Sequence, residues 1–165
     1  MKKMLSLVLL LTLIFSLTAC RNAGTSAPAD EPSPQPTTPA TILLADFKDQ
    51  VKKGAVDPEA IANQLVTNPV IDFAPVVMPV DPGYLNGFSA DVTGFDSGAV
   101  FAPMIGSIPF IGYVFSVSGS ADAFVQQLKT NADLRWNICT QADEMVCEAV
   151  GNTVFFVMAP SSFEN

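Results

Sequence analysis

The sequence predicts an α+β domain with short N-terminal helices, then an antiparallel sheet with one inserted helix and a C-terminal β-hairpin. Three observations carry this expectation. Helix-start residues precede apolar residues at helical spacing, runs rich in Val, Ile and Phe are punctuated by Gly and Pro, and a two-residue Gly151-Asn152 link joins two β-rich segments. Helices ahead of and within a run of antiparallel strands indicate α+β packing.

The first element covers Ile42 to Lys53, where Leu44, Phe47 and Val51 recur at helical spacing and Gly54 supplies a stop. Asp57-Pro58-Glu59 starts a second helix with an N-cap carboxylate, a proline at the first helical position and an acid in the first turn; Ile61 and Leu65 give its buried face, and it ends near Asn68-Pro69. Val70 to Val80 reads as an edge strand because Pro75 and Pro79 cannot donate to a ladder. Asp81-Pro82-Gly83 turns the chain, Phe88 to Val92 reads as a short strand, and Gly94 to Gly98 turns it again.

Ser97 to Ala121 contains no charged residue, and hydropathy alone would make it a membrane span. Gly98, Pro103, Gly106, Pro109 and Gly112 would break a helix repeatedly, so buried strands fit better. Ser120 caps a helix whose Ala121, Phe124, Val125 and Leu128 form one apolar face. Arg135 to Thr140 then reads as a strand. In the closing hairpin, Glu144 to Val150 and Thr153 to Met158 pair so that Val150 faces Thr153, Cys147 faces Phe156 and Met145 faces Met158. One face is then wholly apolar, with Met145, Cys147, Ala149, Val154, Phe156 and Met158; the other, carrying Glu148 and Thr153, is expected to be partly wet.

Composition narrows the function. The 165 residues include no histidine, which excludes Ser-His-Asp and Cys-His catalysis, His-ligated metals and imidazole pH switches. A net charge of −8 speaks against nucleic-acid binding. Asp81, Asp91 and Asp96 match no calcium-loop spacing and suit turns, so neither a metal nor a cofactor is expected. Asp143, Glu144 and Glu148 could supply carboxylates for hydrolysis of an envelope substrate, and Lys129 could join a serine in a Ser-Lys dyad. Adjacent strand residues point to opposite faces, however, which separates Asp143 from Glu144.

Arg135, Trp136 and Asn137 combine the single tryptophan with polar groups, either as an exposed recognition strip or as a core tryptophan between surface residues. Cys139 and Cys147 are spaced so that they can close a disulfide; the hairpin register places Cys147 on the core face, where a free thiol would behave as a small apolar residue.

The N-terminus determines the location. Lys2 and Lys3 precede the apolar stretch from Met4 to Phe15, and Ser16-Leu17-Thr18-Ala19-Cys20 ends it with small residues, the pattern of an export signal. Its 16 residues from Met4 to Ala19 fall short of the roughly 20 a membrane span needs. Leu17-Thr18-Ala19-Cys20 resembles the lipobox of bacterial lipoprotein precursors. The resemblance covers residues 1 to 20 and implies cleavage after Ala19 and a diacylglyceryl group on the Cys20 thiol, which holds the chain on the extracytoplasmic face of the cell membrane.

Removal of Lys2 and Lys3 leaves 6 basic and 16 acidic residues, a charge of −10, so the acyl chains rather than electrostatics would carry the attachment. Arg21 to Thr41 holds five of the 13 prolines and no large apolar residue, the composition of a disordered spacer. The expected organisation is a signal peptide over 1–19, the lipidated cysteine and tether over 20–41, and a globular domain over 42–165. Residues 83 to 158 also resemble small uncharacterised lipoproteins of Gram-positive bacteria, through Gly112-Tyr113-Val114-Phe115, Arg135-Trp136-Asn137-Ile138-Cys139-Thr140 and Ala142-Asp143-Glu144. The expected role is a non-enzymatic module that binds an envelope protein or a small ligand, with an envelope hydrolase as the alternative.

Overall fold

The computed structural model describes residues 37–163, so the signal segment, Cys20 and tether residues 21–36 lie outside the described residues. The first helix, α1 (Pro39–Lys52), begins inside the stretch that composition assigns to the tether. The Thr38 hydroxyl accepts from the Thr41 amide while the Thr41 hydroxyl accepts from the Thr38 amide at 3.0 Å, a reciprocal cap made by two threonines. Pro39 occupies the first turn, where its missing N–H costs nothing, and Pro39 and Ala40 are buried. The domain therefore starts near Thr38 rather than at Ile42.

A chain starting at Thr41 lacks both this cap and the buried Ala40. We expect it to lose about 1–2 kcal/mol relative to a chain starting at Gln35, read as a drop of several degrees in thermal midpoint.

In α2 (Pro58–Leu65) the Asp57 carboxylate accepts from the Ala60 amide at 2.8 Å, and Ile61, Ala62 and Leu65 are buried. Five strands follow: β1 (Pro75–Val80), β2 (Ser97–Pro103), β3 (Ile111–Ser116), β4 (Glu144–Val150) and β5 (Thr153–Ala159), with α3 (Ala121–Asn131) between β3 and β4. They form one sheet in the order β1-β2-β3-β5-β4, every neighbouring pair antiparallel, which makes the domain α+β. The proline-bearing β1 lies at an edge. The closing hairpin has the expected register, with Cys147 opposite Phe156 and Val150 opposite Thr153.

Both faces of the sheet are covered. Ala99, Phe101, Val114, Phe155 and Val157 pack with Leu43, Phe47, Ile61 and Leu65 of α1 and α2. Val100, Tyr113, Phe115, Cys147, Phe156 and Met158 pack with α3 and with Leu85, Phe88, Val92 and Phe95 from the β1–β2 connection. The hairpin face expected to be partly wet is so: α1 covers it and Thr153 is buried, while Glu148, paired with Lys48 of α1, and its strand neighbours Val146 and Val150 keep partial exposure.

Two expected strands are absent. Phe88 to Val92 makes only isolated bridges, Gly83 with Val92 and Phe88 with Ala132. Phe88 serves instead as a plug, its ring 4.7 Å from Phe156 and 5.6 Å from Tyr113. Arg135 to Thr140 is an irregular loop, because side-chain oxygens take its backbone donors: Asp133 Oδ1 accepts from the Arg135 amide at 2.9 Å and Asn137 Oδ1 from the Cys139 amide at 3.3 Å.

Candidate functional site

The N-terminal end of β1, β3 and β4 and the C-terminal end of β2 and β5 lie together, as the pairs Pro75 with Pro103, Ile111 with Met158 and Glu144 with Ala159 require. Three clefts adjoin one another around this loop end. The first, about 550 Å³, is lined by Asp72, Ser107, Ile108, Thr140, Gln141, Asp143 and the segment Pro160 to Phe163. The second, about 400 Å³, lies between the β2–β3 loop and the segment Trp136 to Cys139, and shares Ile108 with the first. The third, about 490 Å³, shares Asp72 and Ser161 to Phe163 with the first and reaches Thr37 and Pro39 at the start of α1.

Of the expected recognition strip, Trp136 and Asn137 line the second cleft and Arg135 does not. Trp136 is half-buried against the core, so it belongs partly to each of its two expected roles. Asn137 Nδ2 donates to the Gly106 carbonyl, tying this segment to the β2–β3 loop. Around them Met104 is 71%, Ile105 67% and Ile138 100% exposed.

The three candidate carboxylates each have a different partner. Asp143 Oδ2 accepts from the Ser161 amide at 2.8 Å, Glu144 Oε1 from the Ala40 amide at 3.4 Å at the N-terminus of α1, and Glu148 pairs with Lys48. Lys129 sits in the last turn of α3, where a cation suits the helix terminus. No three His, Cys, Asp or Glu side chains among the described residues form a group that could hold a metal.

Cys139 and Cys147 are both free, and the disulfide allowed by their spacing is not formed. Cys147 is buried opposite Phe156 on the α3 face, while Cys139 is exposed in the loop beside Asn137. Burial pushes the Cys147 thiol from 9.0 up to about 12; Lys129 opposes the shift and Glu148 adds to it. Burial, with Tyr84 nearby, also raises the Tyr113 phenol above its ordinary 10.0, and its Oη donates to the Asn86 carbonyl at 2.8 Å.

In both groups the folded state holds the proton more tightly than the unfolded chain does. Their contribution is therefore intact below about pH 9 and is lost as pH rises above it. The urea midpoint is expected to be flat from about pH 7 to 8.5 and to fall above that, with Cys147→Ala removing the earlier part of the fall. An unchanged midpoint at about pH 10.5 would contradict the burial of these groups.

Thr140, Gln141 and Ser107, which wall the first cleft, carry no sequence pattern that marks them. They come together only because the β2–β3 loop and the segment before β4 converge on the same end of the sheet. Thr140 Oγ1 is shielded from solvent and has no hydrogen-bond partner among the described residues. No protein-family model, characterised relative or solved structure matches the chain, so what it does is read from this geometry.

Proposed function

We propose that this chain is an extracytoplasmic lipoprotein held on the cell membrane by acylated Cys20, and that its domain is a non-enzymatic binding module whose ligand site is the cleft at Thr140. The observation that carries the binding role is the Thr140 hydroxyl, shielded and without a partner among the described residues, on a residue that walls a cleft about 550 Å³ in volume. A buried hydroxyl left without a hydrogen bond costs about 1–3 kcal/mol, which a ligand polar group would recover. Ser107, Gln141 and Asp143 offer further polar contacts beside apolar Ile108 and Phe163, a mixture suited to a peptide or a small polar ligand. Asp143, Glu144 and Glu148 each hold a separate structural contact, which favours binding over acid–base hydrolysis.

Both parts have a direct test. Cys20→Ser should abolish incorporation of labelled palmitate and leave uncleaved precursor; labelling equal to wild type would end the lipoprotein reading. A photo-crosslinking amino acid at Gln141 should give a discrete adduct in cells, whereas one at Asn152, on the hairpin turn, should not. Equal adducts from the two positions, or none from Gln141, would count against the cleft.

A further inference from the structure

We propose that the loop end of the domain docks on a lipid surface, with Met104, Ile105 and Ile138 entering the headgroup boundary and Trp136 at its margin. This inference rests on the lipid-anchor reading above and adds the orientation of the domain. Those three side chains are 71%, 67% and 100% exposed and stand on two neighbouring loops tied by the Asn137–Gly106 hydrogen bond. Neither Met104 to Pro109 nor Trp136 to Ala142 contains a charged residue, in a chain with 24 of them. Exposed apolar residues grouped on uncharged loop tips, with a tryptophan beside them, fit the boundary between lipid headgroups and acyl chains.

The course of the chain points to the same occupant. Thr37 and Pro39 line the third cleft, which shares Asp72 and Ser161 to Phe163 with the first, and the first shares Ile108 with the cleft beneath Trp136. The tether thus joins the domain at the end that carries the apolar tips. Cys20 precedes Thr37 by 17 positions, a reach of up to about 50 Å at ~3.1 Å per residue, so a lipid on Cys20 can hold that end at the bilayer without strain. Anchoring also raises the local concentration of membrane, so a docking patch too small to bind alone is sufficient once tethered.

Asp81, Asp96 and Asp122 lie at the opposite end of the sheet, beside Val80, Ser97 and the start of α3, where they face away from the lipid. Asp72, Asp133, Asp143 and Glu144 are acids near the docking end, with Asp143 engaged by the Ser161 amide and Glu144 by the Ala40 amide, and they favour a zwitterionic over an anionic surface.

Trp136, the single tryptophan, reports on the docking directly. The mature acylated chain is placed on phosphatidylcholine vesicles with and without brominated acyl chains, and Cys20 acylation is read from the mass of the N-terminal peptide in the same sample. Bromolipid is expected to quench Trp136 emission by about half, and the double variant Met104→Asp/Ile105→Asp to reduce that quenching at least about twofold with circular dichroism unchanged. A phosphatidylglycerol-rich mixture should weaken it. An acylated chain whose Trp136 is not quenched, or is quenched equally in the double variant, overturns the docking while leaving the anchor intact. The same holds if Ile105, replaced by a photo-crosslinker, captures a protein and no lipid. If Cys20 carries no lipid, the anchor reading fails, and co-sedimentation of the unlipidated chain with concentrated vesicles decides the docking: binding lost in the double variant supports it, and no binding overturns it.

Discussion

Replacing Phe155 with alanine is expected to remove about 3–5 kcal/mol from the domain's stability, the range for truncating a fully buried aromatic side chain. Phe155 lies on β5, an interior strand of the sheet, fully buried, with its ring stacked on Phe47 of α1 at 5.2 Å and 6.4 Å from Phe101. Truncation would leave a cavity beneath α1 that the flanking strands cannot close, because β3 and β4 hold β5 on both sides. The loss should appear as a lower urea midpoint with an unchanged slope. Phe47→Ala should be strongly non-additive with it, since the two rings form one contact. A loss below about 1 kcal/mol would mean that α1 does not pack on this face.

Gly112→Ala should cost about 3 kcal/mol or more, although it adds a single methyl group. Gly112 lies in β3 directly opposite Phe101 of β2, and a Cβ built there would overlap the Phe101 ring. That ring has little freedom, with Phe110 at 5.7 Å and Phe155 at 6.4 Å. Phe101→Leu in the Gly112→Ala background is expected to recover part of the loss, which distinguishes steric overlap from a change in strand propensity. Additive losses in the double variant would rule out overlap as the cause.

The elements read correctly from sequence are those whose signals are local. Asp57-Pro58 and Ser120 cap their helices through contacts three residues away, and Gly151-Asn152 sets the hairpin register by itself. The failures arise where distant chain decides. The proline-rich run before Ile42 concealed a helix start because its cap uses Thr41 where a glutamate or glutamine is the usual signature. The alternation around Glu148 gave a partly wet face, but nothing near it in sequence announces its partner Lys48, a hundred residues earlier. Trp136-Asn137-Ile138 has strand-forming composition, yet Asp133 and Asn137 bind its amides before any ladder can form. The clefts were illegible for the same reason. Ser107, Thr140 and Asp72 come from three connections that meet only when the sheet closes.

The strand order has a consequence for when the chain can fold. The last strand of the domain, β5, lies between β3 and β4 and is buried on both faces, so an interior strand of the sheet is the final one to emerge from the ribosome. Until residues 153–159 arrive, β3 and β4 have no common neighbour, and the aromatic residues on the two faces lack the column that joins them. Closure of the sheet is thereby postponed until β5 has been made, because the pairing of β3 with β5 spans α3 and β4 and cannot be replaced by a nearer contact. This delay also makes a chain cut short before Thr153 a source of two unpaired strand edges, the condition under which partly made proteins aggregate.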